Sequence, residues 1–249
     1  VALSHALCAV WCARAIEIGD APPPPRPARP VRPLLCPAKA MPRRRHFGSA
    51  GGRIALIHAL AHIELNAIDL AWDMVARFRG LDLPREFHDD WAAVAAEEAR
   101  HFEWLAARLA DFGAQYGDLP AHDGLWEAAA ATADDPIARL AVVPLVLEAR
   151  GLDVTPPMAE RLERAGDRQS AELLRRILAD EIGHVAIGMR WFERLCRGRG
   201  LDPQTAFHAA VRRSFSGNLK PPFNREARAA AGFPAGYYEP LAAARPSAA

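Results

Sequence analysis

Cysteine is scarce in this sequence, with four residues in 249, and no two of them stand as Cys-x-x-Cys. Cys8, Cys12, Cys36 and Cys196 are scattered, which argues against a disulfide framework and excludes an appended rubredoxin-like iron centre. Buried thiols in a reducing, cytoplasmic setting are expected instead. Charge of one sign is also missing: 31 Lys and Arg face 30 Asp and Glu, a formal charge of +1. No global field therefore points to nucleic acid or an anionic membrane. The one basic run, Pro42 to His46, reads as the solvated end of a linker. No stretch of about 18 apolar residues free of charge occurs, so no membrane span is expected. The apolar N-terminal stretch lacks a basic leader and carries Arg14, Glu17 and Asp20, which reads as a short helix rather than a signal sequence. The only tyrosines are Tyr116, Tyr237 and Tyr238. None lies close in sequence to the candidate ligands described below, which disfavours a tyrosyl-radical generator.

Strand signals are nearly absent too, and helical ones dominate. With 51% hydrophobic residues over this length, the chain suffices for one large helical core plus extensions. Residues 1–46 read as an N-terminal helix and a proline-rich extended lead. Residues 47–249 read as an all-α four-helix bundle with a crossover connection and an irregular C-terminal tail. The first helix is expected from Ser49 to Arg79, and the second from Pro84 to near Gly113. A short helix over about residues 122–133 leads to a third, entered through Asp134-Asp135-Pro136 and closed by Gly151. A broken extension follows, with Thr155 capping, Pro156 starting a new segment and Gly166 ending it. Asp167 should cap a fourth helix running to about Cys196, and Asp202-Pro203 should open a further one.

Against this background the stretch Ala179 to Gly188 is unusual, because Asp180, Glu181 and His184 sit among Ile177, Leu178, Ile182 and Val185. Residues three apart on a helix project side by side, so Glu181-x-x-His184 could hold one ion. Alone the spacing is weak. Upstream, however, Glu98-x-x-His101 repeats it, and Glu64 and Glu148 stand singly in apolar runs. Glu64 precedes Glu98 by 34 residues and Glu148 precedes Glu181 by 33, so the pattern reads as one helix pair written twice. A glutamate from each of two helices with Glu-x-x-His from each of the other two is the ligand set of a di-iron or di-manganese bundle site. At 1.5 Å per residue, Glu64 to Gly80 spans roughly 24 Å and Pro84 to Glu98 roughly 21 Å, which brings those glutamates level on antiparallel helices. A surface carboxylate or an ion pair is the alternative for either single glutamate, with Arg139 or Arg150 as partner for Glu148. Glu97 and Asp180, each four residues before its own helix's histidine, are candidates to orient the histidine of the partner helix. His62, Asn66, Asp69 and Asp73 form a separate polar stripe, expected to meet the C-terminal tail in a hydrogen-bond network.

The segments ALAHIELNAIDLAWD, EEARHFEWLAARL, YGDLPAHDGLWEAA, RLAVVPLVLEARGLDVTPPM, DEIGHVAIGMRWF and LKPPFN resemble the ferritin-like proteins grouped as domain-of-unknown-function family 455, over about residues 50–243 and the lead. The resemblance implies a ferritin-like bundle with a dinuclear site at Glu64, Glu98, His101, Glu148, Glu181 and His184. The wider superfamily includes a tRNA-modifying hydroxylase that this family resembles more distantly. No activity follows from the family itself.

The expected function is that of a non-haem di-iron, or manganese and iron, oxidoreductase that activates O2 to hydroxylate or oxidise a small molecule or modified nucleotide. Without a redox cysteine pair it would need an external electron donor, a ferredoxin or flavin reductase. The rivals are an iron-oxidising, storage-like protein without organic substrate and a helical scaffold that keeps metal only for stability. An oligomer is compatible with all three. A substrate pocket is expected to open along Val143 to Val154, lidded by the tail around Phe223.

Overall fold

A computed structural model describes residues 1–17, 19, 21–41 and 47–242; the basic run at 42–46 lies outside them. Among the described residues the regular structure is helical, and the one β feature is an isolated bridge between Leu35 and Ala121. The chain divides into two compact units, Val1–Glu127 with Glu160–Leu173, and Ala128–Ala159 with Leu174–Ala249.

In the first unit, helix α1 (Ala2–Cys12) packs on α3 (Arg85–Asp111). Its polar atoms are matched one by one: Ser4 Oγ donates to the Ala95 carbonyl, and Trp11 Nε1 donates to Asp89 at 2.8 Å. Helix α2 (Ala50–Arg77) starts where the Ser49 hydroxyl accepts from Gly52 N, and it packs along α3. Apolar residues such as Leu56, Ile57, Ala61, Ile68, Ala71 and Val75 of α2 meet Phe87, Trp91, Val94 and Leu105 of α3 in the buried core. Helix α2 is apolar enough over 18 residues to pass for a membrane span by composition, but 61% of that window is buried, as in a core helix. Gly113, with φ of +72°, turns the chain out of α3.

The proline-rich lead lies on this unit. Trp126 Nε1 donates to the Pro25 carbonyl, Arg26 pairs with Asp123 at 2.6 Å, and Leu35 bridges to Ala121. The polar stripe on α2 finds partners within this unit. Arg29 from the lead bonds Asn66 at 2.7 Å and pairs with Asp69 at 3.2 Å, and Arg77 bridges Asp73 and the Pro24 carbonyl. Asn66 and Asp69 of the stripe thus meet a guanidinium from the lead, and Asp73 meets one from its own helix.

The second unit holds most of the remaining elements. Helix α4 (Gly124–Ala130) starts just ahead of the unit boundary. Helix α5 (Pro136–Val142) begins at Asp135, whose carboxylate accepts from Ile137 N and Ala138 N. A π-helical segment at Val143–Glu148 follows, with Pro144 near its start, and then α6 (Ala149–Arg164). The expected closure at Gly151 and fresh start at Pro156 do not occur: α6 runs through Gly151, Pro156 and Pro157. A proline inside a helix deprives the carbonyl four residues earlier of its donor. For Pro156 that carbonyl is Leu152, and Asn224 Nδ2 donates to it at 3.1 Å. The irregular turn is displaced upstream into the π segment, where the wider winding is common beside a function-bearing residue.

Helix α7 (Arg168–Gly198) starts at Asp167, which accepts from Ser170 N at 3.0 Å and pairs with Arg108 at 2.8 Å. Helix α8 (Pro203–Ser214) is capped by Asp202. The tail is irregular after α8 and then forms α9 (Arg225–Ala230) and α10 (Ala235–Tyr238). Phe207 packs edge-on against Phe192, Phe233 and Tyr237, giving this unit an aromatic core. The tail is seated on α6 through Asp153, which accepts from Asn224 N and pairs with Arg228 at 2.7 Å. Along the stretch expected to line a pocket, Val143, Leu145, Val146, Ala149 and Leu152 are buried, and Asn224, next to Phe223, bonds to Leu152 and Asp153.

Candidate metal centre

Helices α2 and α3 bring Glu64, Glu98 and His101 together inside the first unit. One potential ligand atom from each lies within 4.8 Å of those from the others. His101 Nδ1 stands 3.3 Å from Glu98 Oε2 and 3.7 Å from Glu64 Oε2. All three side chains are buried, and Glu98 and His101 have no exposed surface. Burial by itself would favour neutral imidazole, but the hydrogen bonds and charges of Glu64 and Glu98 outweigh it and raise the His101 pKa to about 10. Two buried carboxylates thus gather positive charge at Nδ1, where a cation would compete with the proton. Trp104, one turn further along α3, stacks at a tilt on the imidazole with centroids 5.5 Å apart. Its role was not anticipated, although an aromatic three residues after a ligand is the signal that reveals it.

The second unit carries the other Glu-x-x-His pair. On α7, His184 Nδ1 lies 3.7 Å from Glu181 Oε2; His184 is buried and Glu181 half-buried. The same atoms face one another as in the Glu98 and His101 pair, so the repeated spacing has become a repeated local geometry. Glu148 is the last residue of the π segment and is half-buried. The arginines considered as its partners have other bonds as well: Arg139 donates to Thr132 Oγ1 and the Ala129 carbonyl, and Arg150 to Asp153 and the Lys220 carbonyl. Glu97 is half-buried and pairs with Arg100 at 3.3 Å, while Asp180 is half-buried on α7.

Donor chemistry limits what the Glu64, Glu98 and His101 group could bind. Carboxylate oxygen with imidazole suits iron, manganese or zinc, and the lack of thiolate disfavours soft ions. A cluster able to hold a metal ion is therefore present.

A family model described as "Protein of unknown function (DUF455)" matches residues 1–239. The chain belongs to that family. The match includes α1 and the proline-rich lead, so these are family elements and not appendages. A protein of Haemophilus influenzae, described as uncharacterised, is 44% identical over 207 residues, which is 81% of this chain and 71% of that protein. No solved structure gives a significant match.

The three tyrosines lie in other networks. Tyr116 stacks on His58, meets Phe102 edge-on and bonds His62 Nδ1 at 2.8 Å; Tyr237 donates to Glu193, and Tyr238 packs edge-on against Phe223 under Arg228. His62 Nε2 donates to the His122 carbonyl at 3.1 Å, and burial lowers the His62 pKa to about 4, which favours the neutral ring. This network was not read from the sequence beyond the presence of His62 in a polar stripe.

Proposed function

We propose that Glu64, Glu98, His101, Glu148, Glu181 and His184 form one dinuclear centre in a ferritin-like four-helix bundle, making the protein a di-iron or manganese and iron oxidoreductase. The observation that carries this reading is the buried Glu64, Glu98 and His101 group, whose pair geometry is repeated by Glu181 and His184. Buried carboxylates require compensating charge, and two metal ions would supply it to four glutamates. Bound there, reduced iron ions would supply the electrons for O2 reduction coupled to hydroxylation or oxidation of a small molecule or modified nucleotide.

The chain's own residues provide the setting. Glu64 and Glu98 bind from helices fixed side by side, and Trp104 holds the ring of His101. Full burial of Glu98, His101 and His184 keeps bulk water from those donors. Glu97 and Asp180 are assigned to orient the histidines across the bundle. Residues 1–46 act as a structural arm of a single bundle domain at 47–249. Reducing equivalents would come from a ferredoxin or flavin reductase.

The test is O2 consumption by protein loaded anaerobically with ferrous iron, followed with light scattering. An oxidoreductase with organic substrate takes up O2 in proportion to its centres, stops, and restarts with a reductase. Sustained oxidation of iron well beyond two ions per chain, with a growing mineral signal, would instead establish an iron-oxidising store.

A further inference from the structure

Gly188 lies well inside α7 and is buried, a position where glycine weakens a helix relative to alanine. A Cβ built on it would stand 2.5 Å from Pro144 Cβ and 2.8 Å from Pro144 Cγ. Those atoms belong to a ring closed onto its own backbone, so they cannot swing aside as the end of a flexible chain can. Gly183, on the same helix, has nothing within 4 Å of an added Cβ. Bare backbone is thus required at one point of α7, where it meets the π segment.

That point is in register with the ligands. Pro144 and Gly188 stand 22 residues before and after Gly166, which has φ of +83° in the turn between α6 and α7. Glu148 and His184 stand 18 residues before and after it. Two long helical runs that touch this far from their shared turn must run antiparallel. One turn from the contact toward Gly166 then brings Glu148 on one run level with His184 on the other.

We infer that the Gly188 and Pro144 contact is a positioning element, which sets how closely the π segment bearing Glu148 approaches the Glu181 and His184 pair. This rests on the dinuclear reading above. Neither residue is a ligand. An added methyl at Gly188 would push the two backbones apart beside the donors, and metal geometry tolerates little of that.

Titration of the metal-free full chain with Co(II), read by visible absorption and equilibrium dialysis, tests it. The wild type should bind two ions, and Gly183→Ala should match it. Gly188→Ala should bind roughly 10-fold more weakly or worse, with an altered cobalt spectrum, by analogy with the loss of residues that orient ligands. Adding Pro144→Gly to Gly188→Ala removes both clashing ring atoms and should return affinity and spectrum toward wild type. If Gly188→Ala does not fold, the double variant decides alone: recovery supports the positioning role, and a folded double variant with poor binding overturns it. A Gly188→Ala protein with wild-type affinity and spectrum also overturns it while leaving the centre intact. A wild type that binds at most one ion, unchanged by Glu148→Ala, removes the dinuclear reading itself.

Discussion

Asn224 Nδ2 donates to the Leu152 carbonyl at 3.1 Å, taking the place of the N–H that Pro156 does not have. A helix that the local sequence would interrupt is thereby completed by the tail. The same side chain accepts from Ala227 N as the cap of α9. Asn224→Ala should therefore lower stability by about 1–3 kcal/mol, combining a lost cap with an unsatisfied carbonyl. Denaturant titration of Asn224→Ala, Pro156→Ala and the double variant would isolate the coupling. Restoring the N–H with Pro156→Ala should soften the Asn224 loss; strict additivity would show that the two are unconnected.

Arg228 and Asp153 form a nearly inaccessible ion pair at 2.7 Å, with Arg228 also donating to the Ala149 carbonyl. Removing only Asp153 would strand a guanidinium among Phe223, Phe233 and Tyr238. Asp153→Ala should cost about 3–5 kcal/mol, and replacing both partners by apolar residues should cost less. Equal losses in the single and double variants would contradict this.

A metal that binds only the folded chain must stabilise it by mass action, by about 2.7 kcal/mol at 100 times its Kd. Thermal melts with added Mn(II) or with chelator should therefore differ in the wild type. Glu98→Ala should abolish the increment. Melts that do not respond to metal in the wild type would remove the case for a metal centre.

Asp180→Asn should weaken metal retention about 10- to 100-fold while leaving helicity unchanged, if Asp180 orients a ligating histidine. Chelator competition measures it. Wild-type retention would return Asp180 to the role of an ordinary surface acid.

Burial chiefly lowers the His62 pKa, from 6.5 to about 4, against the opposing pull of the His122 carbonyl. Between those values the unfolded chain binds the proton and the folded one does not, so this residue's contribution to stability is lost as pH falls from about 6.5 to 4. Nearby Asp69 works the other way, because burial raises its pKa from 3.8 to about 6 despite Arg29. The difference in stability between wild type and His62→Gln, measured by denaturation from pH 7 to 4.5, isolates the histidine. It should shrink as pH falls; a constant difference would mean that His62 does not titrate on unfolding.

Helix starts were legible residue by residue, because capping is decided within four positions: Ser49, Asp135 before Pro136, Asp167 and Asp202 all accept from the backbone just ahead of them. The two Glu-x-x-His pairs were legible for the same reason, since helical geometry puts residues three apart side by side whatever surrounds them. What the sequence by itself determined, then, was the all-helical class, most helix starts and the local pairing of acids with histidines. The fate of Pro156 was beyond it, because the missing donor arrives from Asn224, 72 residues from Leu152. The destination of the α2 polar stripe was also decided in space, since Arg29 reaches Asn66 and Asp69 from a lead whose prolines carry no periodic signal. So was the need for glycine at 188, which exists only because Pro144 of another helical segment occupies the room a methyl would take. Caps and periodicity follow from forces acting over a turn or two, whereas donors, counter-charges and excluded volume contributed from distant residues exist only once the chain has folded back on itself.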